Sequence, residues 1–146
     1  MTDEKPELVP EDENVLRRIF SPYHINEDGS LKSSAFSPST NTLDISVNRE
    51  KIADFKKNCE IGRQEEQPSP DGNPVREKIF RGCIRGNVGE IHNTPVDQEK
   101  TLYCKVLATP DHENENPSHA DLRLPKDSRG IRRKLAKIFS DLIKPE

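Results

Sequence analysis

The stretch Ile79-Phe80-Arg81-Gly82-Cys83-Ile84-Arg85-Gly86-Asn87-Val88-Gly89-Glu90-Ile91-His92 decides the fold. It reads as an antiparallel hairpin: one strand over 79–85, a two-residue Gly86-Asn87 turn, and a return strand over 88–92. Glycines at 82, 86 and 89 in so short a unit predict bends or close approach to something bulky. Residues 101–108 supply a third strand with Leu102, Cys104, Val106 and Ala108 on one face, stopped by Thr109-Pro110. Upstream, Leu43-Asp44-Ile45-Ser46-Val47 alternates as a fourth. A hairpin alone is not stable in water, so this sheet needs covering helices.

Three helices are expected. Val15, Leu16, Ile19 and Phe20 fall at helical spacing over 11–20, and Ser21-Pro22 ends that segment. Asn48 is placed to cap a second helix from Arg49 to about residue 58, with Ile52 and Phe55 on its apolar stripe. The strongest periodicity is at the C-terminal end, over 128–143. There Ile131, Leu135, Ile138, Phe139, Leu142 and Ile143 form one stripe, and Asp127 or Ser128 can cap.

The fold class that follows is α+β, a small antiparallel sheet covered by two or three helices in a single domain. A small curled, barrel-like sheet with a C-terminal helix is the alternative that the glycines leave open. Residues 1–10 read as a flexible acidic arm, and 11–146 as the domain, with a polar, proline-rich loop or insert at 62–75. Of the 146 residues, 30% are hydrophobic, and Leu, Ile, Val and Phe make up about 23%, so the core must be small. No apolar run approaches the roughly 18 residues of a membrane span.

Net charge is -3, which gives no overall bias toward a polyanion. Its distribution is uneven: residues 1–14 carry six acids and one lysine, whereas 123–146 carry eight cations and three acids. Cys59, Cys83 and Cys104 form no C-x-x-C pair and read as buried free thiols of a reducing compartment. With an acidic, polar opening and no apolar stretch after it, the chain reads as cytoplasmic. No glycine-rich phosphate loop is present, so no ATP, dinucleotide or other cofactor is expected.

Three constellations are candidate sites. The C-terminal helix carries Arg129, Arg132, Arg133, Lys134 and Lys137 opposite its apolar stripe. These would suit an acidic protein partner or nucleic acid, although aromatic residues for stacking on bases are scarce. Its face Ile131, Leu135, Ile138, Phe139 and Leu142 would dock a partner helix. The segment 111–121 holds two imidazoles and four carboxylates. His112, His119 and Asp121 are its weak metal candidates, because the spacing matches no standard ligand motif. Third, His24 lies near Ser34 in sequence, a base and a nucleophile if a third group fixes the ring; His24 and His119 could also pair as acid and base on a phosphodiester.

The function expected is a small cytoplasmic accessory or protein-interaction module acting through the basic amphipathic C-terminal helix, with a protein partner or self-association and no membrane. The alternatives are a histidine-dependent phosphodiesterase or ribonuclease, with catalytic candidates His24, His119 and Ser34, and a nucleic-acid-binding protein contacting RNA or DNA.

Overall fold

A computed structural model describes residues 6–69, 71–73 and 77–145. The expectations that fall on 1–5, the first half of the acidic arm, and on residues 70, 74 and 75 of the polar insert lie outside the described residues. Strands β1 (Asn14–Ser21), β2 (Asp44–Arg49), β3 (Ile79–Asn87), β4 (Lys105–Ala108) and β5 (His119–Arg123) alternate with helices α1 (Phe55–Gln64), α2 (Val88–Asn93) and α3 (Arg129–Ile138), and a 3-10 turn spans Ser33–Phe36. All five strands form one antiparallel sheet in the order β3-β1-β2-β5-β4. The fold is α+β, and the sheet does not close into a barrel. Among the described residues no helix is long and apolar enough to cross a membrane.

The segment expected as a helix over 11–20 is the strand β1. Helical spacing and a strand buried on both faces give the same doublets here. Val15 and Ile19 join the main core, while Leu16 and Phe20 face the other way, beneath α1, with Phe80 and Cys83. The expected hairpin is one nine-residue strand, β3, followed by a helix. Asn87 is an N-cap rather than a turn residue: its Oδ1 accepts from the Glu90 amide at 2.9 Å. Gly86 is required for packing, because a Cβ there would lie 2.8 Å from the Phe139 ring. At Gly82 (φ 141°) a Cβ would collide with the Ile143 carbonyl, whose oxygen accepts from the Cys83 amide at 3.0 Å. The chain after α3 thus closes the free edge of β3.

The helix expected from Arg49 starts six residues later, where the Asp54 carboxylate accepts from the Lys57 amide. Asn48 is buried in β2 instead, and Ile52 is exposed. β4 is shorter than the strand read over 101–108; Asp97 accepts from the Thr101 and Leu102 amides and makes the first part a turn. The arm is partly docked, since Val9 donates to the Val106 carbonyl and Ala108 to that of Glu7.

The core lies between the inner sheet face and the pair α2 and α3, with Phe36 of the 3-10 turn against Phe139 at 5.4 Å between ring centres. The helix expected over 128–143 ends at Ile138, and Ile143 bridges to Cys83 of β3 instead of continuing the stripe. Ile131, Leu135 and Phe139 are buried and Ile138 and Leu142 pack against the same cluster, so α3 and the residues just after it close the core. Truncating Leu135 to Ala would cost about 2–5 kcal/mol. α1 covers only the β3–β1 end of the outer face, which leaves the β2–β5 end polar and open.

Candidate functional site: a basin over the outer sheet face

The open end of the sheet forms a basin of about 1120 Å³. Its origin is a splay between strands. β1 and β2 pair only at Val15↔Arg49 and Leu16↔Asn48. Beyond that, Arg17 fills the gap in place of a ladder, donating from Nε to the Ala35 carbonyl at 3.0 Å and from Nη1 to the Ser46 carbonyl at 2.9 Å. No carboxylate pairs with this guanidinium among the described residues. Burial, then the neighbouring Arg18, pulls it down to about 10, so it stays a cation at neutral pH.

The other cations of that wall are partly compensated. Arg18 pairs with Glu65 at 2.9 Å and bonds Asn58. Lys78 lies 3.7 Å from the same glutamate, with its ammonium 4.5 Å from the centre of the Phe20 ring. Lys57 and the half-exposed Tyr23 complete the rim. The opposite wall is the 111–117 loop, contributing Asp111, Asn114 and Glu115. It is tied to β2 at the buried Asn48 Oδ1, which lies 3.0 Å from the donating Asn116 amide and 3.1 Å from the Ser118 hydroxyl.

His24 and His119 both line this basin, in opposite protonation geometries. His24 Nδ1 accepts from the Phe20 backbone amide at 3.1 Å. The neutral ring therefore carries its hydrogen on Nε2 and acts as a donor there. Burial first, then the charges of Arg17 and Lys78, push its pKa down to about 4. Near pH 7 the ring is neither an imidazolium acid nor a base at Nε2. His119 is the reverse. Its Nδ1 lies 2.9 Å from the Thr109 carbonyl oxygen, which can only accept, and 3.0 Å from the Thr109 hydroxyl, whose own hydrogen has the Asp121 carboxyl as acceptor; with both oxygens accepting, Nδ1 carries the hydrogen. That leaves the Nε2 lone pair for the Ser46 hydroxyl at 3.2 Å.

Ser46, His119 and the Thr109 carbonyl thus form a line of nucleophile, base and orienting acceptor. Asp121 stands beside it on β5, and its carboxyl is raised by burial and by Asp44, against the opposing pull of His119 and the Thr109 hydroxyl. The alternation of β2 already placed Ser46 on the face opposite Ile45 and Val47. Its partner is hidden in the sequence, because β5 begins inside the polar segment 111–121 and carries only two inward apolar residues.

The other expected residues are elsewhere. Ser34 does not bond His24; its hydroxyl donates to the Tyr23 carbonyl, and it is not among the residues lining the basin. His112 is exposed on the 111–117 loop, and among the described residues no three His, Cys, Asp or Glu side chains are grouped to hold a metal ion. His92 accepts from the Val106 amide at 2.9 Å and faces Glu11 at 3.2 Å, a structural role. The basic face of α3 lies outside the basin: Arg129, Arg133, Lys134 and Lys137 are exposed, and Arg132 is held by Asp127 at 2.6 and 2.8 Å. The three cysteines are buried free thiols, with Cys83 and Cys104 pushed up to about 12 by burial, which makes them poor nucleophiles.

Comparison with family models, with curated proteins and with solved structures gives no match.

Proposed function

We propose that the protein is a histidine-dependent phosphodiesterase whose site is the basin, with His119 as general base and Ser46 as nucleophile. The observation that carries this reading is the Ser46–His119–Thr109 alignment beside Arg17, a guanidinium with no carboxylate. A phosphodiester supplies the anion that Arg17 lacks. Ser46 Oγ attacks phosphorus as its proton passes to His119 Nε2, the bond to the leaving alcohol breaks, and that proton goes to the alkoxide. Water then attacks phosphorus of the seryl phosphodiester, His119 takes its proton and returns it to Ser46 Oγ as that O–P bond breaks, and a phosphomonoester is released. His24 Nε2–H serves as a neutral donor to the substrate rather than as the acid of a two-histidine pair. Cations and the exposed Tyr23 on one rim favour a nucleotide-bearing diester.

The test is turnover of bis(p-nitrophenyl) phosphate and of short RNA by the intact chain and its variants. Ser46→Ala and His119→Ala should each lose about 10³-fold or more in kcat. Loss in His119→Ala with full retention in Ser46→Ala on RNA would move the nucleophile to the ribose 2′-hydroxyl. Full activity in His119→Ala would end the reading.

The interaction-module reading now rests on the basic face of α3 alone, because the apolar stripe is part of the protein's own core.

A further inference from the structure

Five of the ten described arginines meet a carboxylate: Arg18 meets Glu65, Arg49 meets Glu13, Arg85 meets Glu50, Arg123 meets Asp44 and Arg132 meets Asp127. At the start of α3 two do not. Arg129 and Arg133 have no ion-pair partner among the described residues, and they stand one helical turn apart, where like charges repel. The first turn holds no acid, although the positive end of the helix dipole disfavours cations there. A local rule broken in a folded protein points to a functional or a strained place.

These side chains converge on a hollow. A depression of about 230 Å³ lies between the 3-10 turn and α3. Lys32 and Ser33 contribute from one side and Arg129, Arg132 and Arg133 from the other, and the apolar Leu31, Phe36 and Ala136 complete the lining. Lys32 likewise has no carboxylate partner among the described residues. Arg132 differs: Asp127 grips it through both nitrogens and so fixes the plane of its guanidinium. The hollow is smaller than the roughly 300–1,000 Å³ of drug-sized sites, which limits its occupant to a small group.

We propose that this hollow is a phosphate-binding site, taking inorganic phosphate or the phosphoryl end of a small monoester between Lys32, Ser33, Arg129 and Arg133. The anion relieves the repulsion between Arg129 and Arg133, and the planar guanidinium forks match its oxygens. The site is independent of the basin, and neither Arg17 nor His119 belongs to it.

The test is a titration of the ¹⁵N-labelled protein with inorganic phosphate and, separately, glycerol phosphate, each at ionic strength held constant with chloride. Saturable shifts are expected at the amides of Ser33 and of Arg129 through Arg133. The double variant Arg129→Ser, Arg133→Ser should raise the phosphate Kd at least tenfold. Both substitutions are exposed, and an unchanged circular dichroism spectrum and melting point confirm the fold. Tighter binding of glycerol phosphate than of free phosphate identifies the monoester as the occupant; the reverse order identifies the free ion. Shifts that do not saturate, shifts confined to Arg17 and His119, or an unaltered Kd in the double variant would each overturn the proposal.

Discussion

Two histidines face one basin and are prepared for opposite tasks by the backbone group that each meets. The ring of His24 meets an N–H, from Phe20, and becomes a neutral donor whose charging is suppressed by burial and two cations. The ring of His119 meets a C=O, from Thr109, and presents its lone pair to a hydroxyl. Residue type alone would make them equivalent. In the proposed reaction, a single hydrogen bond on Nδ1 separates a positioning group from a base.

The sharpest way to break this contrast is to remove each ring in turn. His119→Ala should lower diester turnover about 10³-fold or more, whereas His24→Gln should lower it about tenfold or less, since the glutamine amide still offers a neutral donor. Equal losses in the two variants would dissolve the distinction. Arg17→Met comes next: losing the cation beside Ser46 should cost on the order of 10²-fold in kcat/KM. Carbonyls at Ala35 and Ser46 also lose their donor, so the melting point should fall.

Acid stability sharpens the comparison from the other side. The folded pKa of His24, about 4, lies below the ordinary 6.5, so between these values the unfolded chain binds the extra proton. The stability that this burial confers is complete above about pH 6.5 and is lost as pH falls toward 4. For a partly exposed ring this amounts to on the order of 2 kcal/mol. Urea midpoints across pH 4–7 should drop steeply for the native chain and less so for His24→Gln. The smallest effect belongs to Thr109→Val. It removes the hydroxyl that lies near Asp121 and 3.0 Å from His119 Nδ1 but keeps the carbonyl that accepts from Nδ1, so activity should change by about threefold or less. A loss as deep as that of His119→Ala would give the orienting role to the hydroxyl.

The sequence was most legible where burial is one-sided. The stripe of α3 and the alternation of β2 each face one core, and both elements are present near the expected positions. It misled where burial is two-sided: the doublets Val15-Leu16 and Ile19-Phe20 serve two different clusters, so they imitate a helix while forming a strand. It was silent where an element is short. β5 has only Ala120 and Leu122 as inward residues, too few to stand out from the polar segment before it. The site inherits this pattern. His24 and His119 are recognisable as chemistry-bearing residues, but the pairing of His119 with Ser46 depends on the β2–β5 register, which sets residues 46 and 119 on one face. Arg17 is less legible still, because its role comes from ladder pairs that β1 and β2 do not make.

The most direct measurement is a long-range ¹H–¹⁵N correlation spectrum of the imidazoles at pH 8, where an ordinary histidine is neutral. The account predicts His24 with its hydrogen on Nε2 and His119 with its hydrogen on Nδ1, the latter shifting in Ser46→Ala. His119 in the Nε2–H form would leave Ser46 without a base and contradict the account.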